Sequence, residues 1–121
     1  MSNLKLPTLT WHALECITAG RPTVTVAYKT TVTANADGMF GTFAIRHHGN
    51  LIAYVGLTSI QLVHAGWNSV TTANRLNRVC VDNGVNVRVG IRQGILSLID
   101  PSTNRPTPLP RDQRTTFTVN A

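Results

Sequence analysis

The alternation of apolar and polar residues over Thr23–Thr33 constrains the fold more than any other feature of this sequence. A period of two residues predicts a β-strand with one face buried. The buried face would carry Val24, Val26, Tyr28, Thr30 and Val32, and the other face would carry the remaining threonines with Ala27 and Lys29. Fully extended, the segment would reach about 36 Å. Because that is close to the diameter of a domain of this size, we expect the strand to bend or to carry a bulge.

Turn signals divide the next stretch into further strands. Asp37-Gly38 has the composition of a tight hairpin turn, and His48-Gly49-Asn50 predicts another. We therefore expect antiparallel strands over Met39–His47, Leu51–Val55 and Ser59–His64, which with Thr23–Thr33 make a four-stranded meander. In the first of these, Met39, Phe43 and Ile45 would face the core and Arg46 would point the other way.

A helical period replaces the period of two between Gly66 and Asn83. We predict a central helix from about Thr71 to Asn83, with Ser69 or Thr71 as its N-terminal cap. Its apolar face would hold Ala73, Leu76, Val79 and Cys80, and its opposite face would hold Arg75, Arg78 and Asp82.

Shorter elements flank this central part. Leu9, Ala13, Leu14 and Ile17 predict a short helix within residues 1–20, and Gly20 would follow its end. After the central helix, alternation over Val85–Ile91 and again over Ile95–Ile99 predicts a hairpin.

The complete pattern predicts a single α+β domain. The 121 residues are 42% apolar and 13% charged, which suits one folded domain. It would consist of an N-terminal helical segment (1–20), a core in which an antiparallel β-sheet packs on the central α-helix (22–99), and a C-terminal part (100–121). The core would contain a strand-strand-helix-strand-strand unit.

The C-terminal part begins with an arm rich in proline. Asp100–Arg114 holds four of the six prolines of the chain. Loops of this length are often functional or loosely ordered. Two interpretations stay open, a solvated loop and an arm that docks on a second copy of the chain. Alternation over Thr116–Val119 predicts a last strand.

The charge balance points to an anionic partner. Eleven basic residues, nine of them arginine, stand against five acidic ones, and the net charge is +6. The guanidinium fork of arginine suits phosphate and carboxylate. A polyanion would explain the basic excess, whereas a genome rich in G and C would explain only the choice of arginine over lysine.

Several function classes lack the residues that they need. The longest apolar runs are about six residues, where a membrane span needs roughly 20. The N-terminal residues lack the apolar run of a secretory signal, so we predict a cytoplasmic protein. His47 and His48, adjacent on a strand, would point to opposite faces, and Cys16 and Cys80 have no metal-ligand spacing, although they could form one bridge. No nucleophile elbow, P-loop or dinucleotide fingerprint is present. We therefore predict neither a metal, nor a cofactor, nor an enzyme.

Two stretches carry a resemblance to known proteins. They are His48-Gly49-Asn50-Leu51-Ile52-Ala53 and the run from Gly66-Trp67 to Asn77. They resemble a pattern HGN-x-I-A followed by GW-x-T-x-TT-x-x-R-x-N in small proteins of tailed bacteriophages, with Ser69 where a threonine is usual. The resemblance covers about Arg46 to Ile99. It implies a phage origin and carries over no activity.

The start of the central helix is the candidate binding site. Free amides at a helix N-terminus, with the hydroxyls of Thr71 and Thr72 and the guanidinium of Arg75, would hold an anion such as phosphate. A contiguous basic face would extend the site over Arg46, Arg78, Arg88 and Arg92, and Trp11, Phe40 and Tyr54 would be available to stack on bases. In the structural alternative, Thr71 only caps its helix, Trp67 anchors the chain, the arginines form a solvated face, and Trp11, Phe40 and Tyr54 have packed roles.

These observations predict a non-enzymatic, phage-encoded accessory protein acting in the host cytoplasm. Its partner would be a nucleic acid or a phosphorylated ligand. One alternative is an inhibitor that binds an acidic surface of a host factor, either a defence component, as anti-CRISPR proteins do, or a component of transcription. A further alternative is a structural or decoration protein of the virion that forms homo-oligomers through the arm at residues 100–114.

Overall fold

The computed structural model describes residues 7–27, 29–35, 41–64, 69–109 and 114–119. Two helices and two antiparallel sheets are present there, with the strands in runs that do not alternate with helices, so the predicted α+β class is confirmed in its broad form. The elements in chain order are α1 (Trp11–Ile17), β1 (Thr23–Ala27), β2 (Thr30–Ala34), β3 (Phe43–His47), β4 (Asn50–Val55), β5 (Ser59–Val63), α2 (Val70–Asp82), β6 (Arg88–Arg92), β7 (Ile95–Ile99), β8 (Pro106–Pro108) and β9 (Arg114–Thr118).

The strands form two antiparallel sheets, whereas the sequence predicts one. The larger sheet has the order β1-β2-β3-β4-β5-β9, and the smaller has the order β6-β7-β8. The strands before α2 and after it thus belong to different sheets. Helix α2 contacts β4 and β5 of the larger sheet and β6 of the smaller one. Between α2 and the smaller sheet, the side chain of Asn77 pairs with the edge of β6.

That pairing, which we call the Asn77 bridge, reproduces the hydrogen bonds of a neighbouring strand. Asn77 Nδ2 donates to the carbonyl of Val89 over 2.6 Å, and the amide of Val89 donates to Asn77 Oδ1 over 2.7 Å. Both backbone groups of Val89 are therefore satisfied by one side chain of α2.

The alternating segment Thr23–Thr33 is a hairpin of β1 and β2 and not one long strand. Lys29, in the turn between them, has a φ of +54°, and Tyr28 lies outside the described residues. Folding back halves the length that an extended segment would need. The predicted buried face is confirmed for Val26, Thr30 and Val32, which are buried, and Val24, which packs against the core. Ala27, predicted on the other face, is also buried, and the register shifts between Thr25 and Ala27.

The remaining strands of the larger sheet differ from the prediction mainly at their ends. Strand β3 begins at Phe43, and the predicted Asp37-Gly38 turn with Met39 lies outside the described residues. The turn between β3 and β4 is confirmed, with φ values of +52° at His48 and +79° at Gly49.

Helix α2 starts one residue before the predicted position. Ser69 is its N-terminal cap, and Ser69 Oγ accepts a hydrogen bond from the amide of Thr72 over 3.1 Å. Of the two predicted caps, Ser69 is therefore the correct one. The predicted apolar face is confirmed, since Ala73, Leu76, Val79 and Cys80 are all buried.

The end of α2 explains why β6 starts later than predicted. Gly84 has a φ of +72°, which a glycine adopts without strain, and the amide of Val85 donates back to the carbonyl of Cys80 over 2.8 Å. Val85 thus closes the helix instead of starting the strand, and β6 begins only at Arg88.

The residues before α1 are held by the end of α2. The amide of Leu9 donates to Asp82 Oδ2 over 2.9 Å, and Asn83 Nδ2 donates to the carbonyl of Leu9 over 2.9 Å. We call these two contacts the Leu9 clasp. Leu9 is fully buried but precedes α1, which Thr10 caps, so its predicted place on the helix is wrong.

The proline-rich arm folds partly onto its own chain. Pro106–Pro108 pairs with β7, and the amide of Leu109 donates to the carbonyl of Leu96 over 2.9 Å. Leu109 is buried in the core. The predicted irregular arm is therefore a short strand in this part, and the predicted last strand pairs with β5.

The two cysteines do not form the bridge that the sequence left open. Cys16 is exposed on α1 and Cys80 is buried on α2, and both are free thiols. Burial raises the pKa of the Cys80 thiol to about 11. Cys80 is consequently a packing residue and not a nucleophile at neutral pH.

Candidate functional site

A small pocket lies where the β3–β4 turn meets the start of α2. Its volume is about 170 Å³, and the described residues that line it are His47, His48, Ser69, Thr71 and Thr72. None of these five is a carboxylate. The pocket joins the two stretches that stand out in the sequence, the His48-Gly49 turn and the beginning of the central helix.

The tight turn brings the two histidine rings together. His48 is in the turn and not on the strand, and the centroids of the His47 and His48 rings are 4.5 Å apart in an edge-to-face arrangement. The prediction that they point to opposite faces is therefore wrong. Alternation applies only to residues that continue the strand, and the positive φ of His48 breaks it.

A chain of hydrogen bonds connects His47 to α2. Thr30 lies opposite His47 in the register of β2 and β3, and Thr30 Oγ1 is 2.9 Å from His47 Nδ1. Arg75 Nε donates to the same Thr30 oxygen over 3.1 Å. Thr30 is fully buried and His47 is 5% exposed, so the contacts between them are shielded from water.

The surroundings of His47 favour its neutral form. Burial lowers the pKa of the imidazole, and repulsion from His48 and then from Arg75 lowers it further. With Nδ1 engaged by Thr30, the other ring nitrogen is the one left for the pocket. Nε2 makes no hydrogen bond to any described residue.

The start of α2 supplies further donors. Within the helix, the amide of Thr72 is used by Ser69 Oγ and the amide of Ala73 by the carbonyl of Ser69. The amides of Val70 and Thr71 have no acceptor among the described residues. Thr71 is exposed, whereas Thr72 is buried and its hydroxyl accepts from Ser69 Oγ over 2.9 Å.

The two arginines of α2 have different surroundings. Nε is the only atom of the Arg75 guanidinium that hydrogen-bonds within the described part of the chain. Arg78 Nε instead lies 3.3 Å from Asp82 Oδ2, and its Nη2 donates to the carbonyl of Pro7 over 3.3 Å. Arg78 therefore supports the Leu9 clasp.

The other predicted site arginines lie on other surfaces. Arg46 lies between Ile45 and His47 on β3 and so faces away from α2. Arg88 and Arg92 are exposed and lie on the face of β6 opposite to the buried Val89. The structure brings Thr71 and Thr72 to the pocket and links Arg75 to His47 through Thr30, whereas Arg46, Arg88 and Arg92 lie on strands and Arg78 pairs with Asp82. A contiguous basic face over all of them stays a prediction.

A family model for the Kyanoviridae Gp96 protein matches residues 7–108. The chain belongs to this family. The match confirms the coarse prediction of a small tailed-phage protein and extends beyond the stretch from Arg46 to Ile99 that carries the resemblance. No curated protein and no solved structure matches the chain.

The aromatic residues of this Gp96-family chain have structural contacts. Tyr54 is 2% exposed, so its predicted availability for base stacking is wrong. Trp11 Nε1 donates to the carbonyl of Gly41 over 2.8 Å, and its ring packs against Phe43. Phe40 and Trp67 lie outside the described residues.

The described residues contain neither a metal-binding cluster nor a membrane-spanning helix. In the ranges that the structure covers, no group of three or more His, Cys, Asp or Glu side chains is arranged to hold a metal ion. Within the same ranges, neither helix is long and apolar enough to cross a bilayer.

Sequence reasoning missed three residues of the pocket region. They are Thr30, which was assigned only to a core face, and His47 and His48, which were separated by alternation. The turn signal at His48-Gly49 could have shown that His48 leaves the strand. The contact of Thr30 with His47 depends on strand register, which no local pattern specifies.

Proposed function

We propose that this Gp96-family protein is a non-enzymatic phage accessory protein that binds a phosphate group of a nucleic acid or of another phosphorylated ligand, in the cytoplasm of the host. The observation that carries the proposal is the pocket at the start of α2. There a buried histidine, linked to Arg75 through Thr30, lies near the start of a helix whose first two amides have no acceptor in the described part of the chain.

The charges of the pocket region support an anionic ligand. The N-terminus of a helix carries a partial positive charge, and α2 is long enough to develop it. Arg75 adds a full charge one turn into the helix, and no described carboxylate pairs with it. The net charge of +6 would further attract a nucleic acid over distance.

Fluorescence anisotropy with labelled oligonucleotides tests the proposal. Arg75→Gln should weaken binding of single-stranded or duplex probes by about tenfold, because a charge-assisted contact is lost. Arg92→Gln removes the same charge from an exposed position on the smaller sheet and is the matched control. Equal binding by both variants would contradict the proposed site.

Phosphate itself provides a second measurement. Addition of inorganic phosphate should shift the backbone amide resonances of Val70 and Thr71, since both amides are free to donate. Resonances on β6 report any unspecific effect of salt. If the resonances of β6 shifted together with those of Val70 and Thr71, the result would argue against a site at α2.

A second candidate, binding to an acidic protein surface of a host factor, is supported by the outer face of the smaller sheet. A groove of about 230 Å³ there is lined by Arg92, Ile95, Ser97 and neighbouring prolines. Ile95 is 44% exposed, which is unusual for a large apolar side chain. Capture of a host protein after nuclease treatment, lost in Arg92→Glu and kept in Arg75→Gln, would favour this candidate over the first.

Self-association through the arm, as a virion component would need, is a separate prediction. The part of the arm that the structure describes packs on its own β7. Light scattering at high protein concentration distinguishes the cases, because a strictly monomeric species would count against a virion role through this arm.

A further inference from the structure

We propose that the pocket at the start of α2 receives the terminal phosphomonoester of a nucleic-acid strand and discriminates against internal phosphodiesters. The inference rests on the proposed function, because it concerns the same pocket. It adds the chemical form of the phosphate and the part of the strand that enters.

The size of the pocket favours a single phosphate group. At about 170 Å³ it is smaller than the roughly 300–1,000 Å³ of sites that enclose a drug-sized ligand. It has the volume of roughly six water molecules at about 30 Å³ each. His47, which is only 5% exposed, is one of the residues that line the pocket. A phosphate attached to its molecule through one oxygen can enter such a space, while its nucleoside stays outside.

The donors around the pocket suit three terminal oxygens. Thr71, with its amide and exposed hydroxyl, and His47 line the pocket. The amide of Val70 precedes Thr71 in the chain, and the guanidinium of Arg75 is linked to His47 through Thr30. A phosphomonoester has three such oxygens and a charge of about −1.5 to −2 at pH 7. An internal phosphodiester has only two and a single charge, so it would leave part of this donor set unused.

The proposal also assigns the tautomer of His47. Thr30 Oγ1 accepts from Arg75 Nε and lies 2.9 Å from Nδ1 of His47, where either atom of the pair can be the donor. An anionic oxygen in the pocket favours the tautomer in which Nδ1 accepts from Thr30 and Nε2 carries the proton.

The distribution of the other arginines argues against a track along a strand. A protein that follows the backbone needs cations in a row. Arg46 faces away from α2, Arg88 and Arg92 lie on the smaller sheet, and Arg78 is paired with Asp82. Among the described arginines, Arg75 is the one linked to His47, through Thr30, so the end of a strand is recognised more readily than its length.

The decisive experiment compares oligonucleotides that differ only at their ends. Anisotropy is measured with one single-stranded sequence carrying a 5′-phosphate, a 3′-phosphate or only hydroxyl ends. We expect one of the phosphorylated probes to bind about tenfold more tightly than the hydroxyl probe, with a shallow dependence on salt. Equal affinity for all three would overturn the inference. If Arg75→Gln then weakened all three equally, the proposed function would stand without it, and no binding of any probe would overturn both.

A phosphoserine peptide tests the source of the phosphate. It offers the same terminal group without a nucleic acid. Weaker binding than that of the phosphorylated oligonucleotide supports the inference, and equal or tighter binding overturns it in favour of a protein ligand.

Two substitutions of His47 separate its ring nitrogens. The amide of His47→Gln reaches the position of Nε2 and should keep a preference for the phosphorylated end, whereas His47→Asn reaches only the position of Nδ1 and should lose it. The reverse order would overturn the inference. Thr71→Val, at an exposed position, provides a variant that does not threaten folding and should reduce the preference severalfold.

The wild-type protein gives an independent readout of the tautomer. Nitrogen-15 chemical shifts of His47 should show a protonated Nε2 that moves when the 5′-phosphorylated oligonucleotide is added. A protonated Nδ1, or an Nε2 that does not respond, would overturn the inference.

Discussion

The first and the last turns of α2 use their polar groups in opposite ways. Near the start, the amides of Val70 and Thr71 and the terminal nitrogens of Arg75 have no partner in the described part of the chain. Near the end, Asp82 and Asn83 hold both backbone groups of Leu9. One helix therefore stabilises the fold with one end and keeps donors available at the other, and substitutions should separate stability from binding along its length.

The largest expected effect is on stability and comes from the segment that the clasp holds. Leu9→Ala should reduce the free energy of unfolding by about 3 kcal/mol, since it leaves a cavity at a fully buried position. Urea denaturation with an unchanged m-value measures the loss. A loss below about 1 kcal/mol would mean that this segment is not part of the core.

Loss of one contact of the Leu9 clasp should cause the second-largest decrease in the free energy of unfolding. Asn83 Nδ2 donates to the carbonyls of Leu9 and Val79 in a buried setting. Asn83→Ala removes both bonds and deprives the Leu9 carbonyl of this donor, whereas the Val79 carbonyl keeps the backbone amide of residue 83. We expect a loss of about 2 kcal/mol in the same measurement. The exposed Asn86 supplies the matched control, and Asn86→Ala should change stability by less than about 0.5 kcal/mol.

His47, which lies on β3 beside the first turn of α2, should make the stability of the protein depend on pH. The pKa of His47 is lowered in the folded protein, mainly by burial, whereas the unfolded chain has the ordinary value of 6.5. Below that value the unfolded state binds more protons, so stability falls as the pH decreases from 6.5 towards the folded pKa. Urea titrations at a series of pH values should show this loss in the wild type and less of it in His47→Asn. The exposed His12→Asn should follow the wild type, and an identical decline in all three would contradict the assignment.

The smallest effects on stability come from the two arginines of α2. Arg78→Gln loses a half-exposed pair with Asp82 and the contact with Pro7, which predicts a loss of about 1 kcal/mol. Arg75→Gln should cost about 0.5 kcal/mol or less. For phosphate binding the order should reverse, with Arg75→Gln the weaker binder. The same order in both measurements would remove the contrast between the two ends of the helix.

The sequence was most informative where the conformation of a residue depends on the residues next to it in the chain. The burial of Val26 and Val32, the apolar face of α2 and the His48-Gly49 turn all follow from short-range periodicity or backbone preference. The turn at Lys29 escaped detection because neither Tyr28 nor Lys29 is typical of a tight turn. The separation into two sheets and the contact of Asn77 with Val89 are long-range features, which periodicity does not predict.

The candidate site was predictable only in part for the same reason. Thr71, Thr72 and Arg75 follow from the helix pattern alone. Thr30 and His47 join them through the register of β2 and β3, and the expected contribution of Arg88 and Arg92 depended on the rotation of a strand relative to a helix. That rotation is fixed by packing and not by any single residue type.

The Asn77 bridge also bears on how copies of this chain meet. An uncovered strand edge can template the addition of a foreign strand. Asn77 blocks one margin of the smaller sheet at Val89, and the opposite margin is β8, where Pro106 and Pro108 lack the amide hydrogens that a newcomer would need. Polymerisation by strand addition to this sheet is therefore opposed at both edges.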